Sequence, residues 1–276
     1  MNTAVWSRGG ASIFRSLPGA CFGFWLIGSA ALVLLYIGLP LARTIAAPSW
    51  EQLSTTLADP QVLESVWLSM STSGMAALIA FVTGTPLAYV MARREFPGKK
   101  LVESLIDLPI MIPHPVVGIA LLGLTGRDTA FGQALQALGV EILGTRTGIV
   151  AVLVFVGMPF YVNTVKAGIE SVPARLENVS RSLGANPAAT FFRVTLPLSW
   201  RYMLVGMIMC MARAISEFGA IIIVAYHPMI APVLMYERFT AYGLAWSQPV
   251  AVILIVVSMV FFLALRTISL PREVDQ

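Results

Sequence analysis

Residues 64–92 of the chain read ESVWLSMSTSGMAALIAFVTGTPLAYVMA, and the only charged side chain in this run is that of Glu64 at its first position. A helix of about 20 apolar residues is long enough to cross the hydrocarbon core of a bilayer. Small side chains recur at every fourth position of the run and therefore share one helical face. They are Thr72, Ala76, Ala80, Gly84, Ala88 and Ala92. The stripe predicts a membrane-spanning helix against which a second helix packs closely.

The composition of the whole chain also indicates a bilayer environment. Apolar residues make up 57% of the 276 residues and charged residues only 12%, which is too little polar material to cover a soluble protein of this size. The first long apolar run exceeds the apolar region of a cleaved signal peptide, so we expect it to be a retained helix. The predicted fold is all-α and polytopic, with six transmembrane helices. They are predicted at 20–46, 64–92, 104–125, 147–167, 198–226 and 248–268.

The distribution of basic residues predicts the orientation of these helices. With the N-terminus in the cytoplasm, thirteen of the eighteen Lys and Arg residues fall in cytoplasmic segments and four outside, while Arg213 lies within the fifth span. Because cytoplasmic loops collect Lys and Arg, this bias predicts that both termini are cytoplasmic. The same rule accounts for the pI of about 9.3, so no nucleic-acid partner is expected.

The hydrophilic segments divide the chain into three predicted parts. Residues 1–60 hold a cytoplasmic stub, the first helix and an external loop, and residues 61–268 form a transmembrane core of five helices. Residues 269–276 form a cytoplasmic tail. The longest internal hydrophilic segment, 168–197, is a cytoplasmic loop between the fourth and fifth spans and is too short to be a domain.

No pattern in the sequence predicts a catalytic or metal centre. Cys21 and Cys210 lie in apolar runs without a C-x-x-C or His partner, so neither a disulfide framework nor a metal site is expected. The phosphate-binding pattern G-x-x-x-x-G-K-[ST] is also missing, since the nearest segment, PGKK at 97–100, lacks the earlier glycine and the following hydroxyl. The chain is therefore not predicted to be an enzyme, and no cofactor is expected on it.

A second stripe in the 64–92 helix carries hydroxyl groups at Ser65, Ser69 and Ser73, near its predicted outer end. Buried hydroxyls can bond to their own helix, so helix packing is one interpretation. Hydroxyl groups gathered near one end of a span are equally compatible with a solute pathway. Ser69 and Ser73 are therefore candidate pathway residues.

The third span contains three prolines in the run Asp107-Leu-Pro-Ile-Met-Ile-Pro-His-Pro-Val-Val-Gly118. Each proline removes a backbone donor, so this helix is predicted to be bent or broken. Broken helices at membrane depth occur where they are buried in protein or line a wet cavity, which makes Asp107, Pro113 and His114 candidate pathway residues. His114 could act as a pH switch or metal ligand, but the interpretation we favour is that it satisfies a freed carbonyl.

The fifth span contains two ionisable residues, Arg213 and Glu217, four positions apart. This spacing puts the guanidinium and the carboxylate on one helical face, where they can pair. An unpaired charge in hydrocarbon costs roughly 2.5–3.5 kcal/mol on insertion scales, so both side chains are expected to face protein or water. A structural ion pair and a gate or pathway element are both open.

The cytoplasmic loop has the pattern of two short amphipathic helices. Leu176, Val179 and Leu183 share one face of a helix that opens after Pro173 and is ended by Gly184. Asn186 and Pro187 begin a second helix, which is expected to close at Leu196-Pro197. Together they predict a rigid knob that docks into a groove of a partner, or that lies on the membrane surface.

The run Glu177-Asn-Val-Ser-Arg-Ser-Leu-Gly184-Ala185, followed by Phe191-Phe-Arg-Val-Thr-Leu-Pro197, resembles the "EAA…G…LP" loop of ABC importer permeases. In this chain the glutamate lies seven residues before the glycine instead of six, and Asn178-Val179 replaces paired alanines. Further runs are similar to the molybdate/tungstate permeases of these importers. They are Gly84-Thr-Pro-Leu-Ala-Tyr-Val-Met-Ala-Arg93, Phe96-Pro-Gly-Lys99, Asp107-Leu-Pro109, Ile112-Pro-His-Pro115, Val117-Gly118, Ile215-Ser-Glu-Phe-Gly-Ala220 and Ala225-Tyr-His-Pro-Met-Ile-Ala-Pro232.

The resemblance implies a type I ABC importer permease fold in the inner membrane. It implies three partners: a cytoplasmic ATPase dimer that uses ATP and Mg, a second permease copy that makes a homodimer, and an external oxyanion-binding protein. Sulfate permeases share part of the pattern, so sulfate or another oxyanion is the alternative substrate. The implied coupling residues, which meet the ATPase, are Leu176, Glu177, Arg181, Gly184, Ala185 and Phe191.

Two alternatives come from other functional classes. A membrane sensor or assembly subunit would use the same knob to hold a cytoplasmic partner without moving a solute. A channel or ion-coupled carrier would need more charged pathway residues than the one Arg213–Glu217 pair supplies, so it is the least favoured.

Overall fold

The computed structural model of the protein describes residues 20–269, and every regular element in this range is helical, as predicted. The stub before residue 20 and the tail after residue 269 lie outside the described residues. A π-helical turn spans Phe191–Thr195. The helices, numbered in chain order, are α1 Ala20–Ala46, α2 Trp50–Leu57, α3 Pro60–Arg93, α4 Lys99–Met111, α5 His114–Thr125, α6 Ala130–Ala137, α7 Arg146–Ser171, α8 Ala174–Ser182, α9 Pro187–Thr190, α10 Leu196–Ile215, α11 Ile221–Val224, α12 Ala231–Tyr242 and α13 Leu244–Ser269.

Two compact units divide the chain, one ending at Ser49 and the other beginning at Trp50. The regular element of the first unit, within the described residues, is α1, which has the bounds of the first predicted span. With 27 residues it is about 40 Å long, which is enough to cross the hydrocarbon core.

The long helices α3, α7 and α10 pack together in the second unit, and the small-residue stripe of α3 lies at their contact. Thr72, Ala76, Ala80, Gly84 and Ala88 are all buried. A Cβ atom on Gly84 would lie only 2.8 Å from a ring carbon of Tyr161 on α7, so the two helices approach as closely as glycine allows. The predicted close packing is confirmed.

One end of α3 is held by α12 and α13, through a small apolar cluster that includes Val62, Leu234 and Ile253. Asp59 caps α3, because its Oδ1 accepts the backbone N–H of Gln61 at 2.9 Å. The other oxygen of Asp59, Oδ2, accepts a hydrogen bond from Nη2 of Arg238 on α12 at 2.5 Å. The cap therefore also fixes α12 to the start of α3.

The third predicted span is broken, as the prolines indicated. α4 and α5 meet at Ile112–Pro113 with a bend of 114°. Ile112 is extended, with φ −78° and ψ 145°, because the ring of the following proline disfavours the helical conformation. Pro109 lies inside α4 without ending it, and Pro115 lies in the first turn of α5, where an N–H has no helical partner.

Five helical segments of the described chain are long and apolar enough to cross a membrane, and the α4–α5 pair makes a sixth span only if both halves are counted as one. The prediction of six spans therefore holds with one of them broken. The five unbroken spans are Phe22–Ala46, Pro60–Arg93, Arg146–Ser171, Pro187–Ile215 and Leu244–Ala264.

The fifth predicted span differs from the structure at both ends. The expected closure at Leu196-Pro197 is wrong, because helix continues from Pro187 to Ile215. Proline cannot donate the usual backbone bond, and the π turn accommodates this gap: the N–H of Leu196 donates to the carbonyl of Phe191, five residues back.

The far end of this span was predicted at residue 226, but α10 ends at Ile215. Beyond it the carboxylate of Glu217 accepts the backbone N–H of Ala220 at 2.9 Å, which supplies an acceptor where the helix has stopped. Gly219 lies against the first turn of α5, since a Cβ there would be 3.0 Å from Cβ of His114. A bulkier residue would separate the two segments.

Candidate functional site

The hydrophilic segment between α7 and α10 carries an exposed apolar ridge. The ridge consists of Leu176, Val179 and Leu183, whose side chains are 44%, 48% and 83% exposed. They share one face of α8, as the sequence predicted. The rest of the chain leaves these apolar side chains exposed, as is typical of a surface that docks onto a partner. Phe192 in the π turn is also exposed, at 63%.

The corner between α8 and α9 is fixed by its backbone. Gly184 has φ +90°, a conformation that residues with a side chain rarely adopt. The N–H of Ala185 donates to the carbonyl of Ser180 at 3.1 Å, which closes the end of α8. Asn186 caps α9 through a 2.7 Å bond from the N–H of Ala189. The predicted helix end and helix cap are both confirmed.

Glu177 lies on the opposite side of α8 from the ridge and is buried. Its Oε1 accepts hydrogen bonds from Nε of Arg93 and from Oγ1 of Thr195, each at 2.9 Å. The hydroxyl of Tyr89 donates to the other oxygen at 3.4 Å. These donors come from α3 and from the π turn, so Glu177 holds α8 against its own chain.

The six predicted coupling residues therefore separate into two groups. Phe191, like Glu177, faces the rest of the chain: its partly buried ring packs edge-on against Tyr89 with the ring centroids 5.2 Å apart. The outward-facing group comprises Leu176, Arg181 and Gly184, with Ala185 half-buried. Sequence reasoning missed the donors Arg93, Tyr89 and Thr195; the signal available for Arg93 was its position as an arginine at the end of a span.

A second cluster lies where α10 ends and α5 begins. Nη2 of Arg213 donates to Oε2 of Glu217 at 2.6 Å, so the predicted pair is formed. Nδ1 and Nε2 of His114 lie 3.0 and 2.8 Å from the same guanidinium nitrogen, and Nδ1 lies 3.5 Å from Oε2 of Glu217. The expectation that His114 satisfies a freed carbonyl is wrong: the bend of α4–α5 carries its ring to the charged pair instead.

The three side chains of this cluster differ in exposure. Glu217 is 1% exposed, Arg213 17% and His114 40%. The hydrogen bonds that the buried Glu217 carboxylate accepts offset the free-energy cost of removing it and the Arg213 guanidinium from water. The two helix breaks, at Ile112–Pro113 and after Ile215, meet here, and interrupted helices at membrane depth occur where they are buried in protein or line a cavity.

Asp107 does not belong to this cluster. Its Oδ1 accepts a hydrogen bond from Nδ2 of Asn163 on α7 at 2.7 Å. One turn along the same contact, Nζ of Lys166 donates to Oε1 of Glu103 at 2.5 Å. Together they form a polar seam between α4 and α7. Asn163 was missed by the sequence reasoning, although it is a polar residue near the end of the apolar run 147–167.

Ser69 and Ser73 lie in the packed interior, 2% and 0% exposed. The Ser73 hydroxyl donates to the carbonyl of Met70 in its own helix at 3.0 Å. The Ser69 hydroxyl donates to the carbonyl of Ser65 and accepts the backbone N–H of Ala231 at 2.8 Å, so it fixes the start of α12. Of the two interpretations, these contacts support packing.

The family model described as "Binding-protein-dependent transport system inner membrane component" matches residues 84–272, which is more than half of the chain. The chain belongs to this family of permeases. The predicted resemblance is therefore confirmed, and the protein is a multi-pass component of the inner membrane. Because the family consists of membrane components of transport systems, this permease is a non-catalytic subunit.

Curated relatives cover nearly the whole permease. It is 46% identical to the molybdate/tungstate transport system permease protein WtpB of Pyrococcus furiosus, over 87% of this chain and 92% of that one. It is 30% identical to the probable sulfate transport system permease protein cysT of Nephroselmis olivacea, over 87% and 88%.

A solved structure gives the same fold at lower identity. The permease is similar to a chain of a bacterial ABC transporter that imports the acidic polysaccharide alginate, with a TM-score of 0.70, 19% identity, and coverage of 92% of this chain and 97% of that one. A related structure of the alginate transporter contains a periplasmic protein bound to alginate pentasaccharide. The predicted ABC importer permease fold is thereby confirmed.

Proposed function

We propose that this permease conducts molybdate or tungstate across the membrane in an ATP-driven importer. The observation that carries the proposal is the difference in identity between two groups of relatives. Four permeases named for molybdate/tungstate are 39–46% identical to this chain, whereas three named for sulfate are 29–34% identical. Sulfate has the same charge and shape, so it remains the competing substrate.

The energy comes from a separate ATPase dimer, which binds ATP and Mg on the cytoplasmic side. The apolar ridge of α8 is exposed beside the Gly184 corner, and an exposed apolar surface of this kind suits docking into a groove of that subunit. Both termini and the α8–α9 corner lie in the cytoplasm in this arrangement, in line with the bias of Lys and Arg. A homodimer of the permease encloses the pathway, and an external binding protein delivers the oxyanion.

The cluster of His114, Arg213 and Glu217 acts as the gate. It connects the break in the third span to the end of α10, so a shift of α10 changes the contact of Arg213 with His114. Closure of the ATPase dimer moves the two α8–α9 corners together and opens the pathway to the loaded binding protein. ATP hydrolysis reverses the movement.

Uptake into liposomes tests the substrate. The permease is reconstituted with its ATPase and binding protein, and uptake of radiolabelled tungstate is measured with increasing unlabelled molybdate or sulfate. We expect molybdate to compete and sulfate to compete only in large excess. Equal competition by sulfate would instead assign a general oxyanion importer, and ATPase binding without ATP-dependent uptake of any of the three ions would indicate a sensor subunit.

A pair of matched variants tests the docking surface. Leu183→Asp puts a charge on the ridge, whereas Leu138→Asp puts the same charge on a leucine that is similarly exposed, at 78%, beside α6. Since a carboxylate is poorly tolerated in an apolar groove, we expect Leu183→Asp to abolish co-purification of the ATPase. Leu138→Asp should retain it. Retention of the ATPase by both variants would exclude the ridge as the docking surface.

A further inference from the structure

An ion pair between Arg93 and Glu177 joins the ends of several helices at one point. Nε of Arg93 donates to the Glu177 carboxylate at 2.9 Å, and Nη2 donates to the backbone carbonyl of Val172 at 2.7 Å. The guanidinium therefore holds α8 with one nitrogen and the end of α7 with another. Arg93 is itself the last residue of α3. The side chains are 14% and 8% exposed, so solvent screens this pair little.

The carboxylate of Glu177 adds a fourth element. It also accepts a hydrogen bond from the hydroxyl of Thr195. Thr195 lies in the π turn near the start of the long helix that ends at Ile215. Within the described chain, the side-chain hydrogen bonds from α8 to α3 and to the π turn all involve Glu177, and one more, between Ser180 and Thr190, ties α8 to the first turn of the span Pro187–Ile215. One carboxylate thus links α8 to the ends of α3 and α7 and to the π turn.

We propose that Glu177 is a positioning residue, which transmits movement of α8 to α3 and α7 through Arg93 and to the span containing α10 through Thr195, and that it makes no contact with the ATPase. This inference rests on the proposed function, since it assumes that the ridge of α8 docks onto an ATPase. The ridge and Glu177 then have separate tasks. The ridge binds the partner, and the buried carboxylate carries the displacement into the membrane core.

The geometry explains why an arginine is needed. Arginine presents several donors in a fixed planar group, so one side chain reaches both the carboxylate and the Val172 carbonyl. A lysine has a single nitrogen and cannot occupy both positions. Arg93→Lys keeps the charge opposite Glu177 but releases the end of α7, so its effect on coupling should be partial.

Coupling is measured in the reconstituted importer as the ratio of ATP hydrolysis with and without loaded binding protein, together with uptake. The variants are Glu177→Gln, Arg93→Met and the double variant, with Glu95→Gln as control. Glu95 pairs with Lys99 at the surface and is 88% exposed, so its loss should change little. We expect the ATPase to co-purify with every variant. Stimulation and uptake should fall at least about tenfold in each single variant, since each loses at least one charge-assisted hydrogen bond.

Non-additivity identifies the pair as one unit. Arg93 and Glu177 share one hydrogen-bonded contact, although Arg93 also bonds to Val172 and Glu177 to Thr195, so the free-energy loss in the double variant should be smaller than the sum of the two single losses. Additive losses would overturn the proposal, as would normal stimulation in Glu177→Gln. Loss of the ATPase from Glu177→Gln would also overturn it, because Glu177 would then be a docking contact.

Two measurements distinguish a specific loss of coupling from a folding defect and from a failure of the proposed function. Thermal melting of each purified complex detects a folding defect; should Glu177→Gln fail to fold, Arg93→Lys carries the test, and full stimulation in that variant contradicts the proposal. If the wild-type importer shows neither uptake nor stimulation, the proposed function fails. If the wild type transports and Glu177→Gln transports equally well, only the proposed role of Glu177 fails.

Discussion

Removal of the Glu217 carboxylate should destabilise the permease more than any other single change in the cluster of His114, Arg213 and Glu217. The side chain is 1% exposed and accepts bonds from Arg213 at 2.6 Å and from the N–H of Ala220 at 2.9 Å. Breaking a buried ion pair by removing one partner costs about 3–5 kcal/mol, because the other charge is left without compensation. Arg213 is 17% exposed and keeps some access to solvent, so we expect about 3 kcal/mol for Glu217→Ala.

A double variant separates the role of the charge from the role of the shape. In Arg213→Met with Glu217→Gln, no charge remains, and the glutamine carbonyl can still accept the N–H of Ala220. Replacement of a buried ion pair by residues of similar volume is often neutral, so this variant should lie within about 1 kcal/mol of the wild type. His114 then has an uncharged neighbour and keeps its place beside Gly219.

Thermal melting of the purified complex, followed by size-exclusion chromatography, provides the stability measurement. If the double variant is as unstable as Glu217→Ala, desolvated charge is not the reason for the loss and the reasoning is refuted. Tungstate uptake by the stable double variant then decides the function of the pair. A gate requires uptake to be lost, whereas normal uptake would identify the pair as a structural lock.

Three further predictions concern packing, a helix contact and pH. Gly157→Ala should destabilise by about 1–3 kcal/mol, since its Cβ would lie 2.5 Å from Sγ of Cys210, and adding Cys210→Ala should recover most of the loss in melting temperature. Ser69→Ala should cost about 1–3 kcal/mol by leaving the first N–H of α12 unbonded, measured in the same way. Burial acts to raise the pKa of Asp59, but hydrogen bonds from Arg238 and the backbone outweigh it and lower the pKa. Arg238→Gln should therefore reduce the melting temperature at pH 7, and the difference should shrink as pH falls below about 4 and vanish below the lowered pKa of the folded protein.

The spans and their contacts could be predicted where the signal is local. The small-residue stripe of α3 lies on one helical face whatever the rest of the chain does, so Gly84 could be placed at a helix contact from spacing alone. The prolines around His114 similarly predict a break, because the missing donor is a property of the residue. Gly184 and Asn186 were placed correctly as a helix end and a helix cap for the same reason.

Contacts between residues distant in sequence were not predictable in this way. Glu177 and Arg93 are 84 positions apart, and Arg213 and His114 are 99 apart, so no periodicity relates them. The exposed ridge of α8 was recognised as amphipathic, but amphipathicity does not say which polar residue turns inward. The continuous helix through Pro197 was missed because a π turn depends on packing around it, not on a sequence rule.

The continuity of that helix has a mechanical consequence under the proposed function. Its 29 residues extend about 43 Å, from Pro187 beside the α8–α9 corner to Ile215 beside the gate cluster. A hydrogen-bonded helix resists bending, so displacement at one end arrives at the other, whereas a stop at Pro197 would have left a flexible joint between them. The π turn keeps the rod unbroken and also carries Thr195, which bonds to Glu177. The element that sequence reasoning divided in two is thus the one that has to be continuous for movement of α8 to reach Arg213 and Glu217.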